Sequence, residues 1–214
     1  MKEFVKSILI LILLPVCSLF SWTVASASDS EKPRAEVLKL AESAYNCAIK
    51  SGTAKPKTLT VIDYSLPSTA KRMWVIDMQK KHTLFHTLVS HGKGSGEKSA
   101  TYFSNKSGSH ATSLGLYKTE ATYHGKNGYS LRLEGLDKGY NDNAKSRAVV
   151  IHGAPYVNDK TAKVGRVGRS WGCPAVASEL AAPIINTIKE GDLVFAYYPD
   201  QKWMKDSKFL NCSA

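Results

Sequence analysis

The chain has 214 residues, and its 29 Lys and Arg against 18 Asp and Glu give a formal net charge of +11. This length is sufficient for one domain with a sizeable core, and nothing after residue 27 is apolar for long enough to span a membrane. The basic excess predicts a polyanionic neighbour such as nucleic acid, a membrane surface or a bacterial wall polymer. Because the lysines are scattered, with no run of five or more, a solvated basic surface explains the charge equally well.

The N-terminus has the pattern of a secretory signal. Lys2 and Lys6 precede an apolar run over residues 7–20, and the small residues Ala-Ser-Ala follow at 25–27. A charged start, a short apolar segment and such a cleavage site predict a signal peptide over 1–27 and one domain over 28–214. The apolar run is shorter than the roughly 20 residues that a membrane anchor needs. We therefore expect export to the periplasm or cell envelope, with no membrane anchor in the mature chain, and export argues against a nucleic-acid partner.

Three cysteines remain after residue 27, namely Cys47, Cys173 and Cys212. An odd count in an exported protein indicates one disulfide and one free thiol. Pairing Cys47 with Cys212 would close a very long loop, which chain-entropy arguments value at about 5 kcal/mol. That pairing leaves Cys173 free for chemistry.

The first half of the domain begins with a helix and continues with strands. Apolar residues recur at helical spacing over 33–50, and the period then changes to two over 58–64, 72–78 and 82–89. The last two of these strands form a predicted hairpin. Residues 92–113 are rich in Gly, Ser, Lys and Asn, which predicts a long loop bordering a cleft.

The second half adds more short strands. Two of them, at 114–119 and 121–124, lead through a Gly-rich turn to a third at 129–133. The apolar run 147–151 is typical of a strand buried on both faces. Ser178 is predicted to cap a helical turn, with Pro183 opening a helix before a final strand at 193–198. The fold class is therefore mainly β with a few helices.

One pair of segments carries residues suited to catalysis. The strand 147–151 ends at His152-Gly153, and the stretch Ser170-Trp-Gly-Cys173 follows. A neighbouring imidazole can convert a thiol to the nucleophilic thiolate, and glycine lets backbone N–H groups approach a carbonyl, as an oxyanion hole requires. A backbone carbonyl near Gly153 could accept the second ring N–H of His152. On this pattern alone, a Cys-His dyad and a buried structural cysteine remain equally open.

These two segments resemble a known active-site signature. Ile151-His-Gly153 followed by Gly168-Arg-Ser-Trp-Gly-Cys-Pro-Ala175 is similar to the YkuD-like L,D-transpeptidases, and more closely to the murein L,D-transpeptidase catalytic domain family. The resemblance also covers segments 73–77, 89–93, 103–105, 113–117, 129–133 and 139–143. It implies an L,D-transpeptidase-like β-sandwich with a few helices, including one near the N-terminus.

The resemblance further implies a cysteine peptidyltransferase that acts on peptidoglycan stem peptides. Cys173 would attack a stem-peptide carbonyl, His152 would be the base, and the carbonyl of Gly153 would orient that ring. The N–H groups of Gly172 and Cys173 would hold the oxyanion. A second stem peptide would be the acceptor and form a cross-link, and no metal or organic cofactor is implied. The alternatives are an L,D-carboxypeptidase that hydrolyses the same acyl-enzyme and a non-catalytic wall-binding module.

Other residues of the signature are expected to contact the substrate. They are Arg169, Ser170 and Trp171, of which Trp171 would either cover the thiol or pack in the core. The family often has histidine at the position of Trp171 and arginine or asparagine at that of Ala175, so substrate preference is open. Arg169, together with Arg132 and Arg147, would bind peptide carboxylates or serve as an ordinary structural arginine. The six histidines have no acidic or cysteine partners at a fixed spacing, so no metal site is predicted.

Overall fold

The structure, a computed structural model, describes residues 32–212. The predicted signal peptide, 1–27, lies outside these residues. Within them, eight strands, four α-helices and one short 3-10 turn follow one another. In chain order they are α1 (Ala35–Lys50), β1 (Thr58–Asp63), β2 (Met73–Asp77), β3 (His82–Thr87), the 3-10 turn (Lys93–Ser95), β4 (Gly115–Gly125), β5 (Gly128–Gly135), β6 (Val150–Gly153), α2 (Asp159–Lys163), β7 (Ala175–Val176), α3 (Ser178–Ile188), β8 (Leu193–Tyr197) and α4 (Gln201–Asp206).

The eight strands belong to one sheet in the order β3-β2-β1-β8-β4-β5-β6-β7. Two neighbouring pairs, β1 with β8 and β6 with β7, are parallel, and the other pairs are antiparallel. The prediction of a mainly β fold with a few helices, including one near the N-terminus, is confirmed. The sheet ends at β7, a strand of two residues, and this end carries the candidate site.

Both faces of the sheet are buried. Successive side chains of a strand point to opposite faces, so Val61 of β1 belongs to one hydrophobic cluster and Ile62 to the other. Helix α1 packs on the first face through Val37, Ala41 and the small residues that follow at helical spacing. Helix α3 covers the second face, next to β5 and β6. The sheet is therefore a rigid support for residues at its edge.

Several boundaries differ from the sequence prediction. The two strands predicted at 114–124 are one strand, β4, with a register shift between Thr119 and Thr122. Strand β6 begins at Val150 instead of 147, because Ala148 has a φ of 54° and turns the chain. Helix α3 begins at Ser178 and continues through Pro183, which lacks the N–H for one helical hydrogen bond. Helices α2 and α4 and strand β7 were not predicted.

A disulfide joins Cys47 of α1 to Cys212, 165 residues further along the chain. Cys173 is the free cysteine of the described residues. The C-terminal segment therefore stays against α1, and Trp203 of α4 is fully buried beside Phe195 of β8. None of the helices in residues 32–212 is both long and apolar enough to cross a membrane.

Candidate active site

His152 lies in β6, where it pairs with Ser130 of β5 and Ala175 of β7. Its Nδ1 is 2.8 Å from the carbonyl oxygen of Gly153. Because a carbonyl oxygen can only accept, Nδ1 carries the proton and Nε2 has a free lone pair. Burial lowers the pKa of His152, and the bond to Gly153 opposes this shift. The ring is therefore neutral near pH 7, with Nε2 able to accept a proton.

Cys173 lies two residues before Ala175, the residue of β7 that pairs with His152. Its Sγ is 3.7 Å from the carbonyl oxygen of Ala148. Burial raises the pKa of the Cys173 thiol, while a backbone hydrogen bond from Val150 and the charge of Arg147 lower it. The parallel pairing of β6 and β7 thus brings the predicted nucleophile and the predicted base to the same edge of the sheet.

Residues 170–173 form a tight turn, called the nucleophile turn below. The hydroxyl of Ser170 donates to the carbonyl oxygen of Cys173 at 2.6 Å and accepts from Gly172 N–H at 3.1 Å. Gly172 has a φ of +123°, and a Cβ there would lie 2.8 Å from the carbonyl oxygen of Ala111, so only glycine fits. In residues 32–212 the N–H of Cys173 has no hydrogen-bond partner, whereas that of Gly172 bonds to Ser170. The Cys173 N–H is the donor available to an oxyanion.

The nucleophile turn is attached to a neighbouring segment, residues 90–93. Ser170 N–H donates to His91 O at 3.0 Å, and Lys93 N–H donates to Ser170 O at 2.8 Å. One step further on, Ser90 N–H donates to Ala175 O at 2.8 Å, and Ala175 N–H returns a bond to the Ser90 hydroxyl at 3.2 Å. The sequence did not single out Ser90, because no motif marks a serine whose partner is 85 residues away.

His91 is a structural histidine and not a second base. It is fully buried, and its Nδ1 accepts from the guanidinium of Arg72 at 2.8 Å, so that Nε2–H donates to Gly96 O at 3.2 Å. Burial and the charges of Arg72 and Arg169 lower the pKa of His91 to about 4. In the described part of the chain, no group of three His, Cys, Asp or Glu residues is arranged to hold a metal ion.

Arg169 holds the loop that follows segment 90–93. Its Nη1 donates to Lys93 O at 3.3 Å and Gly96 O at 3.1 Å and forms an ion pair with Glu97 at 2.7 Å. The guanidinium of Arg169 is therefore already hydrogen-bonded and paired with a carboxylate. Its assignment to substrate binding stays a prediction.

Trp171 is exposed over 71% of its surface, so it does not pack in the core. Its ring is 4.8 Å from that of His110, and the Lys93 ammonium is 5.1 Å from its centre. Neither His110 nor Lys93 was predicted to belong to the site, because both lie in a loop without periodic pattern. Trp171 forms an exposed aromatic surface two residues from Cys173.

Comparisons with known proteins found a matching family and several similar solved structures. The family of the L,D-transpeptidase catalytic domain, YkuD_2, matches residues 29–197. No match was found among the curated proteins. Three solved structures are similar to this chain: an L,D-transpeptidase from Mycobacterium smegmatis (16% identity, TM-score 0.40, 66% of this chain and 59% of that one), one from Stackebrandtia nassauensis (16%, 0.40, 75% and 67%) and the helical cell shape determining protein Pgp2 from Campylobacter jejuni (12%, 0.46, 74% and 54%).

The chain spans 54% to 67% of the length of these three structures. The family match, in contrast, extends over most of this chain, from residue 29 to the end of β8. It includes both the strand with His152 and the nucleophile turn. The chain belongs to the L,D-transpeptidase catalytic domain family.

Proposed function

We propose that this protein is an exported cysteine peptidyltransferase that cross-links peptidoglycan stem peptides. In the first step, Cys173 Sγ bonds to the carbonyl carbon at the L-centre of the diamino acid in stem position three. His152 Nε2 takes the thiol proton and gives it to the departing terminal D-amino acid. An amine of a second stem peptide then attacks the thioester, which releases the thiol and leaves a new amide bond.

The observation that carries this proposal is the tautomer and the neutral charge of the His152 ring. Its Nδ1–H is fixed on Gly153 O, so Nε2 is a free base, while burial keeps the ring neutral. The free thiol of Cys173 precedes the strand that pairs with His152. The unpaired N–H of Cys173 supports an oxyanion role for the nucleophile turn.

The substrate class follows from the family and from charge. Donor and acceptor are both stem peptides, and the net charge of +11 suits a polyanionic wall polymer outside the cytoplasm. Water in place of the acceptor amine would make the protein an L,D-carboxypeptidase through the same acyl-enzyme. The two reactions share the first step and differ only in the group that resolves the thioester.

Intact-mass analysis after incubation with purified disaccharide-tetrapeptide tests the proposal. We expect a covalent adduct on the wild type, none on Cys173→Ala, and a cross-linked dimer among the products. Disaccharide-tripeptide and a free D-amino acid, without dimer, would indicate the carboxypeptidase. Pelleting with cell walls, with neither adduct nor released D-amino acid, would refute the enzyme and favour a wall-binding module.

A further inference from the structure

The guanidinium of Arg147 is a half-buried cation held by neutral oxygens. Nη1 and Nη2 each donate two hydrogen bonds to the loop that precedes β4. The acceptors are the carbonyl oxygens of Ser104 (2.8 Å) and Ala111 (2.7 Å) and the hydroxyls of Ser113 (2.5 Å) and Ser109 (3.2 Å). Within residues 32–212 no carboxylate forms an ion pair with Arg147, so its positive charge is uncompensated.

This cation lies against the nucleophile turn. A Cβ placed on Gly172 would be only 3.3 Å from Arg147 Nη2. The next residue, Ala148, has a φ of 54°, a region that residues other than glycine rarely occupy and that often marks functional sites. Its carbonyl oxygen is the partner of the Cys173 thiol at 3.7 Å. The guanidinium of Arg147 and the carbonyl of Ala148, which are consecutive residues, therefore both lie next to the nucleophile turn.

The other titratable groups near Cys173 are neutral near pH 7. Tyr64 and Tyr156 interact with Cys173 electrostatically, and His152 lies on β6, the strand next to β7. Burial lowers the pKa of His152, and it raises the pKa of both tyrosines. Of the charged groups in the described chain, Arg147 is the one that acts on the Cys173 thiol.

We propose that Arg147 is an electrostatic positioning residue that stabilises the thiolate of Cys173. A cation within a few ångströms favours the charged form of an acid, and the thiolate is the attacking species. The neutral imidazole of His152 takes the thiol proton and becomes a cation, and the guanidinium stabilises the thiolate that is left. Since the guanidinium already bonds to four oxygens, Arg147 acts on Cys173 and is not an anchor for a substrate carboxylate. The inference rests on the proposed role of Cys173 but concerns its ionisation alone.

The pH dependence of Cys173 alkylation by iodoacetamide tests this inference, with peptide mass mapping to read Cys173 separately. For Arg147→Gln we expect the midpoint to rise by about one pH unit, which makes alkylation roughly tenfold slower below the midpoint. Arg147→Lys keeps the charge and should keep most of the effect. The control Arg132→Gln removes a cation that lies over the Tyr123 ring, 4.2 Å from its centre, and should leave the midpoint unchanged. Equal midpoints for wild type and Arg147→Gln, or an equal rise in the Lys and Gln variants, would overturn the proposal.

A second pair of variants leaves Arg147 in place. Ser109→Asp puts a carboxylate beside Nη2, and Ser109→Asn puts a neutral group of the same shape there. We expect Asp to raise the midpoint and Asn to leave it at the wild-type value, whereas equal shifts would contradict the role of charge. Alkylation needs no substrate. If the wild type forms no acyl adduct but the midpoints shift as predicted, the proposed function is refuted and this inference stands. If the adduct forms but the midpoints do not shift, this inference is refuted and the proposed function stands.

Discussion

At the scale of single residues, the arrangement of His152 depends on a backbone atom. The carbonyl oxygen of Gly153 fixes the ring tautomer through a 2.8 Å bond, and no side-chain substitution removes that acceptor. The base is thereby oriented by the strand itself. In many Cys-His sites a third side chain has this task.

Replacing His152 should remove the base and leave the fold. For His152→Gln we expect acyl-adduct formation to slow by about 10²–10⁴-fold, measured by intact mass over time, with an unchanged melting temperature. The control His124→Gln alters an exposed histidine whose ring lies 5.1 Å from that of Tyr129, and it should react at the wild-type rate. An adduct rate for His152→Gln equal to that of the control would contradict the assignment.

The pH profile gives an independent check on His152. Burial lowers the pKa of His152 below the usual 6.5, so the neutral base persists as the pH falls through 6.5. Adduct formation by the wild type should decline only at lower pH. A decline centred above pH 6.5 would show that the ring is not the buried, neutral group described here.

The predicted catalytic residues can be identified from the sequence because they lie in short motifs, which contain Cys173, His152 and Gly153. Ser90 and His110 cannot be identified in this way, because their contacts with Ala175 and Trp171 join residues 85 and 61 positions apart. The N–H of Gly172 is predicted to hold the oxyanion, whereas in the structure it donates to the Ser170 hydroxyl. That role for Gly172 stays a prediction that requires this bond to open.

At the scale of elements, the nucleophile turn depends on segment 90–93 and the loop after it. Arg72 and His91 are both fully buried there, and His91 is neutral because it accepts from the guanidinium. Protonating His91 would place two cations side by side in the buried interior. The depressed pKa of His91 thus stabilises the fold above pH 6.5, and this contribution is lost as the pH falls to about 4.

Substituting His91 should reduce the loss of unfolding free energy that occurs when the pH falls. Between pH 6.5 and 4 the wild type should lose about 3 kcal/mol of unfolding free energy through this group alone. His91→Gln can still accept from Arg72 and donate to Gly96 O, and it does not titrate. We expect it to be less stable than the wild type at pH 7 and to lose less on acidification, by urea unfolding at both pH values. Parallel losses in the two proteins would contradict the prediction.

The longer elements were predictable and the short ones were not. The periods of α1 and of the β2–β3 hairpin extend over enough residues to be recognised, and their ends agree within about two residues. Strand β7 has two residues and α2 has five, too few to show a period. The sequence predicts that Pro183 begins a helix. Instead α3 continues through Pro183, because Ile184 and Ile185 pack on the sheet and stabilise the helix there.

At the scale of the whole molecule, the disulfide between Cys47 and Cys212 links the N-terminal helix to the C-terminal segment. It closes a loop of 165 residues that contains every strand of the sheet. A loop of this length constrains the unfolded chain strongly, by about 5 kcal/mol at most in the chain-entropy account. The odd cysteine count predicts one disulfide, and the long loop that Cys47 and Cys212 close, which leaves Cys173 free, favours this pairing.

Opening the disulfide should lower global stability and spare the site. For Cys47→Ala/Cys212→Ala we expect a loss of about 2–5 kcal/mol in unfolding free energy, and dithiothreitol should cause a similar loss in the wild type. Cys173→Ser is the matched control, because it removes a cysteine and keeps the disulfide, and its unfolding free energy should equal that of the wild type. Peptide mapping of the protein without prior reduction would refute the pairing if it found Cys47 and Cys212 unlinked.

The same covalent closure determines how the protein carries mechanical load. Tension applied through the chain on either side of the closed loop passes from Cys47 to Cys212 across one S–S bond, and it does not stretch the segments in between. The hydrogen bonds that hold β6 against β7, and with them His152 and Cys173, therefore lie outside the force path. His152 and Cys173 would keep their relative position while the chain outside the loop is pulled. Single-molecule pulling should show the sheet unravelling only after reduction.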